Sequence, residues 1–160
     1  MEKDGERRTF DQYPEDDSYT FVEMILTNEE ALPKIADFAV WNPEGDFTAE
    51  ILSGKQAILI ITDIDKMDRK MLDDIEDLFQ KAAQAGIQPS ILAANSAEKI
   101  ELFLQSQNWD FPYYQGDATV LKTIIRSNPG LLLLNEGTVL KKYHYRTLPS
   151  WADLLEIFTR

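Results

Sequence analysis

Two apolar runs, Ala57–Ile61 in GKQAILIIT and Leu131–Leu134 in SNPGLLLLNEG, constrain the fold more than any other part of this chain. Neither has a polar residue at alternate positions. A strand with one wet face alternates, whereas a strand covered on both faces does not. The runs are short for buried helices, and turn residues bracket them: Gly54 before the first, Asn128-Pro129-Gly130 before the second and Asn135-Glu136-Gly137 after it. They predict inner strands of a sheet with helices packed on both faces. IQPSILAAN predicts a third strand of the same kind.

Between these strands the period changes. Met71, Leu72, Ile75, Leu78, Phe79, Ala82 and Ala83 recur at helical spacing, and Gly86 ends the segment. Asn95, with Glu98 three residues on, predicts the opening of a helix carrying Ile100, Phe103 and Leu104. WDFPYYQ is short and aromatic. Asp117 predicts a cap for a helix with Val120, Leu121, Ile124 and Ile125 on one face. Pro149 suits the first turn of a last helix whose inner face holds Trp151, Leu154, Leu155 and Phe158. Upstream, DFAVW-NPEG-DFTAEIL predicts a hairpin in which Phe38 and Val40 alternate on one arm and Phe47, Ala49 and Ile51 on the other. RRTF and SYTFVEMIL, joined by the turn DQYPEDD, predict an N-terminal hairpin. Strand–helix alternation implies parallel neighbours joined by right-handed crossovers. Leu131–Leu134 and Thr138–Tyr143 add an antiparallel hairpin at one side. The expected organisation is one α/β domain over residues 36–160, a mixed sheet with helices on both faces, carrying a β extension over residues 1–35.

Composition removes whole classes of chemistry. The chain has no cysteine, so thiolate nucleophiles, disulfides, iron–sulfur clusters and thiolate zinc sites are excluded. One histidine, His144, cannot build a multi-histidine metal site. The net charge of -12 opposes nucleic-acid binding, which needs clustered Lys and Arg. Acid is concentrated early: residues 1–65 hold sixteen Asp/Glu against five Lys/Arg, and residues 111–160 hold four against six. Acidic loops kept soluble by charge account for this more simply than an acidic docking face. No apolar run approaches the roughly 18 residues of a membrane span.

The order helix, short turn, X-Pro, buried strand, glycine turn, strand and final helix resembles the second half of the thioredoxin fold. The first half agrees: IADFAVWNPEGDFTAEILSGKQAILIITDIDKMDRKM is similar to the TlpA-like and AhpC/TSA group, where a hairpin and a Gly-Lys pair lead into a buried strand and then the cysteine motif. The resemblance covers roughly Ala36 to Phe158. It implies a cis Asn128–Pro129 bond, with the backbone edge of Asn128 presented to an extended peptide. It also implies that Asp65 and Asp68 stand where the family's two redox cysteines would, at a helix start. SYTFVEMIL and LKTIIRSNPGLLLLNEGTVLKK resemble, in addition, the soluble C-terminal extension of bacterial DoxX-family membrane proteins. That resemblance implies a membrane-associated parent and an extracytoplasmic, periplasmic-side location.

These likenesses lead to an expected cysteine-free binding or assembly module with neither cofactor nor metal. Its groove would run between Asp63–Asp68 and Asn128–Pro129, with Tyr113 and Tyr114 as walls. Its partner would be a protein or peptide segment, including one from its own parent. Two rivals remain. Asp63-x-Asp65 after a buried strand fits the nucleophile motif of the haloacid-dehalogenase phosphatases, a metal-dependent chemistry. No Asp-Asp pair closes a later strand, as that mechanism needs. The other rival is a purely structural cap for a membrane domain. As bland alternatives, Asp65 and Asp68 would complement a helix dipole by about 0.3–1 kcal/mol each. His144 would be an edge residue without a nucleophile, and Trp41, Trp109 and Trp151 would be packing anchors.

Overall fold

The computed structural model describes residues 2–3, 5–7, 18, 20 and 38–159. The chain divides into two compact units, residues 1–36 and residues 37–160. In the first, strand β1 (Glu2–Lys3) pairs antiparallel with β2 (Glu6–Arg7). The hairpin expected from RRTF and SYTFVEMIL falls, apart from Arg7, Ser18 and Thr20, outside the described residues.

The second unit runs β3 (Val40–Asn42), β4 (Gly45–Asp46), α1 (Thr48–Ile51), β5 (Lys55–Ile61), α2 (Leu72–Gln84), β6 (Gln88–Ala93), α3 (Ala97–Gln107), β7 (Tyr113–Gly116), α4 (Ala118–Ile124), β8 (Gly130–Asn135), β9 (Thr138–His144) and α5 (Trp151–Thr159). Its sheet has the order β4-β3-β7-β6-β5-β8-β9. Strands β5, β6 and β7 are parallel, and β8 joins β5 antiparallel with Ile60 opposite Gly130. Both apolar runs are inner strands: Gln56–Ile61 and Gly130–Leu134 are buried throughout. They are buried because there is a layer on each side. Ala57, Leu59, Ile61, Leu131 and Leu133 pack toward α2, α3 and α5, while Ile58, Ile60, Leu132 and Leu134 pack toward α1 and α4.

Local signals explain most element ends. Helix α2 stops at Gly86 (φ 75), where the Ile87 N–H reaches the Ala82 carbonyl and the Gly86 N–H reaches that of Ala83. These are the two bonds of a Schellman stop, and only glycine takes that conformation without steric cost. Asp117 caps α4 by accepting from the N–H groups of Thr119 and Val120 at 2.8 and 3.0 Å. At α5 the cap is Ser150, whose hydroxyl accepts from Asp153 N–H while the Asp153 carboxylate accepts from the Ser150 hydroxyl and N–H. Pro149 therefore precedes the helix instead of lying in its first turn.

Two expectations are corrected. Thr48–Ile51, read as the second arm of a hairpin, is the short helix α1, and the hairpin ends at Asp46. The Asp46 carboxylate accepts from Thr48 N–H, and the Thr48 hydroxyl accepts from Val40 N–H, so the chain turns before it can extend the strand. Asn95 does not cap α3. Ser96 holds that position without a side-chain bond, and the Asn95 side chain serves a tertiary role described below. At the far edge, β9 exposes Lys141 and Lys142, and its register with β8 slips between Leu133 and Leu134.

Candidate functional site

The site expected from the sequence lies where β5, β6 and β8 meet at one end of the sheet. Past Ile61 the chain makes a single 3-10 turn, Ile64–Lys66, which Asp63 caps through its carboxylate and the Asp65 N–H at 3.0 Å. An extended link then leads to α2, which begins only at Leu72. Asp65 and Asp68 consequently do not sit at the helix start. The acids in the first turn of α2 are Asp73 and Asp74, and the dipole argument belongs to them. Asp68 instead uses its carboxylate on the Lys70 N–H, 3.0 Å away.

Asparagines hold this loop. Asn128 Oδ1 accepts from Thr62 N–H at 3.0 Å and from Asp63 N–H at 3.4 Å, and its Nδ2 donates to the Asp63 carbonyl at 2.7 Å. The Asn128 carbonyl accepts from Asp68 N–H at 3.1 Å. From the other side, Asn95 Oδ1 accepts from Ile64 N–H at 3.1 Å. Sequence reasoning placed Asn128 at the site but missed Asn95, whose position before a helix gave the more familiar signal of a cap. The Asn128–Pro129 bond is cis. Pro129 is buried and Asn128 half-buried. Of the backbone edge expected to be open, the carbonyl is already engaged by Asp68, while the Asn128 N–H donates to no group among the described residues.

Charge around the loop is largely paired. Asp63 lies 3.1 Å from Lys66, and Asp65 pairs with Lys99 of α3. The hydrogen bond from Lys66, followed by that from the Asp65 N–H, holds the Asp63 carboxyl below the ordinary carboxylate range. No group of three or more His, Cys, Asp or Glu side chains among the described residues is arranged to hold a metal ion.

The two tyrosines do not wall this groove. They are neighbours on β7, so their side chains leave opposite faces of the sheet. Tyr113 packs on the α2 side and donates to Glu101 of α3, whereas Tyr114 packs against Phe47 with ring centroids 5.3 Å apart. Strands β6 and β5 stand between β7 and β8. The bond to Glu101 pushes the Tyr113 phenol up to about 12 from 10.0. A raised folded-state value stabilises below the unfolded one and is lost as pH climbs through the folded one. Stability should thus decline between pH 10 and 12 by more in the parent chain than in Glu101→Gln. In a site-resolved NMR titration, Glu101→Gln should bring Tyr113 ionisation back toward 10.0.

His144 is exposed on β9, its Nδ1 accepting from Arg146 N–H and its ring 4.3 Å from that of Tyr145. Trp109 is buried among Phe103 and Phe111, and Trp41 is partly exposed on β3.

This arrangement is a thioredoxin-like α/β fold: a central mixed sheet, helices on both faces, and a buried strand entered through a proline beside the loop that follows the first inner strand. Solved structures share it. StoA from Bacillus subtilis matches with a TM-score of 0.55 and 17% identity, over 79% of this chain and 99% of that one. BsSco, a member of the Sco family of cytochrome c oxidase assembly proteins, matches with a TM-score of 0.56 and 13% identity, over 76% and 90%. A thio-disulfide isomerase from Thermus thermophilus matches with a TM-score of 0.56 and 12% identity, over 77% and 90%. At these identities the likeness is one of fold. In sequence, a family described as a domain of unknown function (DUF8463) matches residues 1–27. No curated protein matches the chain.

Proposed function

We propose that this chain is a redox-inactive binding module on a thioredoxin-like scaffold, holding an extended peptide segment beside the Asn128 turn. The observation that carries the reading is the state of Asn128. Its side chain and carbonyl are committed to Thr62, Asp63 and Asp68, while its N–H has no acceptor among the described residues. A half-buried donor fixed in place this way is preorganised for one backbone carbonyl of a partner, and preorganisation reduces the cost of binding. Without cysteine the scaffold can hold such a segment but cannot exchange disulfides with it.

The likeness of LKTIIRSNPGLLLL to the DoxX-family extension extends the proposal: the segment belongs to a membrane-embedded parent, with this domain outside the bilayer on the periplasmic side. No helix among the described residues is long and apolar enough to cross a membrane. Short peptides copied from the parent's extramembrane loops, titrated into isotope-labelled protein, should move the amide signals of Asn128, Asp63 and Asp68 and leave Thr138, at the far end of β9, unchanged. Signals at Asn128 that stay fixed at millimolar peptide would end this reading. A parallel melting scan with magnesium, manganese and calcium tests the phosphatase alternative, since a ligand at 100 times its dissociation constant adds about 2.7 kcal/mol.

A further inference from the structure

At the opposite end of the sheet, strands β6 and β7 part company. They pair only from Ile91–Tyr113 to Ala93–Gln115, and the outermost bond runs from the Ile91 N–H to the Pro112 carbonyl at 2.9 Å. Along a strand, N–H groups two residues apart point to the same neighbour. The next donor toward β7 would therefore come from position 89, which is proline and has none. The ladder ends there, and the gap widens into a cleft of about 860 Å³, within the range of small-ligand sites.

The cleft's chemistry has one sign. Among the described residues its charged lining is Glu50 and Asp110, without Lys or Arg. Phe47 and Tyr114, the packed pair, supply aromatic faces, with Phe111 nearby. Two inner polar groups remain unspent. Gln56 is 2% exposed, and its Nε2 lies within hydrogen-bond distance of the carbonyls of Glu50 and Ser53 and of Gln88 Oε1, three acceptors for two hydrogens, while its own Oε1 accepts from none of the described residues. Ser90 is 3% exposed, and its hydroxyl has no partner. Of these, the Ser90 hydroxyl is the enclosed one, and a buried polar atom without a partner is uncommon enough in folded proteins to call for one. Burial, and then the charge of Glu50, push the Tyr114 phenol upward.

We propose that this cleft binds a small organic cation, an ammonium group on an apolar or aromatic carbon body. The ammonium supplies donors to Gln56 Oε1 and the Glu50 carboxylate, and the body lies against Phe47 and Tyr114, whose ring faces favour positive charge. An anion would meet two carboxylates and no counter-charge among the described residues.

Three probes of similar size separate the terms: 2-phenylethylammonium, neutral 2-phenylethanol and anionic 3-phenylpropionate, each titrated into the isotope-labelled full chain. The cation should produce saturable shifts at the Gln56 side-chain amide and at the backbone signals of Ser90 and Tyr114. The alcohol should bind more weakly, and the anion should leave those signals still. Glu50→Gln, on an exposed side chain, should weaken the cation by about fivefold. A cation that never saturates, an anion that binds equally well, or an unaffected Glu50→Gln variant would each overturn the assignment. Because the Gln56 signal lies at the opposite end of β5 from Thr62, which Asn128 holds, failure here leaves the peptide reading standing, and the reverse also holds.

Discussion

Replacing Asn128 by alanine should cost about 2–3 kcal/mol, read as a lower urea midpoint with an unchanged slope. The side chain satisfies Thr62 N–H and Asp63 N–H and donates to the Asp63 carbonyl. Each buried polar group left unpaired costs about 1–3 kcal/mol, but here water reaches a half-buried position and one contact is long, so the sum is discounted. Asn128→Asp keeps the acceptor and loses the donor, and it brings a second carboxylate beside Asp63. It should fall near the alanine variant instead of near the parent. Neighbouring Ser127 supplies the contrast. Its hydroxyl is buried and unpartnered, so Ser127→Ala should be neutral or slightly stabilising. An Asn128→Ala cost no greater than that of a typical surface change, within about 0.5 kcal/mol, would show that the clamp does not hold the loop.

Gly130→Ala should destabilise by about 1–3 kcal/mol for a reason unrelated to backbone freedom. A Cβ at Gly130 would lie 2.5 Å from Ser127 Oγ and closer still to Ile125 Cδ1. Ile125 can retreat only into the layer between β8 and α4, where Leu121 and Leu132 are already buried. Trimming the obstacle should relieve the strain, so Gly130→Ala should cost less in an Ile125→Val background than alone, a non-additivity that a double-mutant cycle by thermal or urea unfolding measures. Equal costs in both backgrounds would place the difficulty elsewhere.

The inner strands and α2 were legible because their signals are redundant. Ala57–Ile61 is apolar, short and bracketed, and Gly86 stands where a Schellman stop needs it. The Asp117 cap was legible because a single side chain meets its own nearby backbone. Errors arose where one residue type can do two jobs. Phe47-Thr48-Ala49-Glu50-Ile51 alternates like a strand, but the Asp46 carboxylate turns it into a helix. Asp65 and Asp68 read as helix-start acids, yet the Asp63 and Asp68 carboxylates each bond the backbone N–H two residues on and so keep the segment out of α2 until Leu72. Asn95 carries a cap's sequence signature and makes instead a contact 31 residues away, which no local pattern encodes. The placing of Tyr113 and Tyr114 as two walls of one groove could have been refused from sequence, because consecutive strand residues cannot share a face.

Among the described residues no strand pairs with the outer side of β9, and the composition of β9 decides how that flank meets other molecules. An incoming chain trying to extend the sheet would have to lie along Lys141 and Lys142 and follow a ladder kinked at Leu133–Leu134. Ammonium groups resist being sealed into such a seam, and a kink spoils the straight template that stacking requires. This border is thereby guarded against fibril-like growth even though four leucines lie one strand behind it.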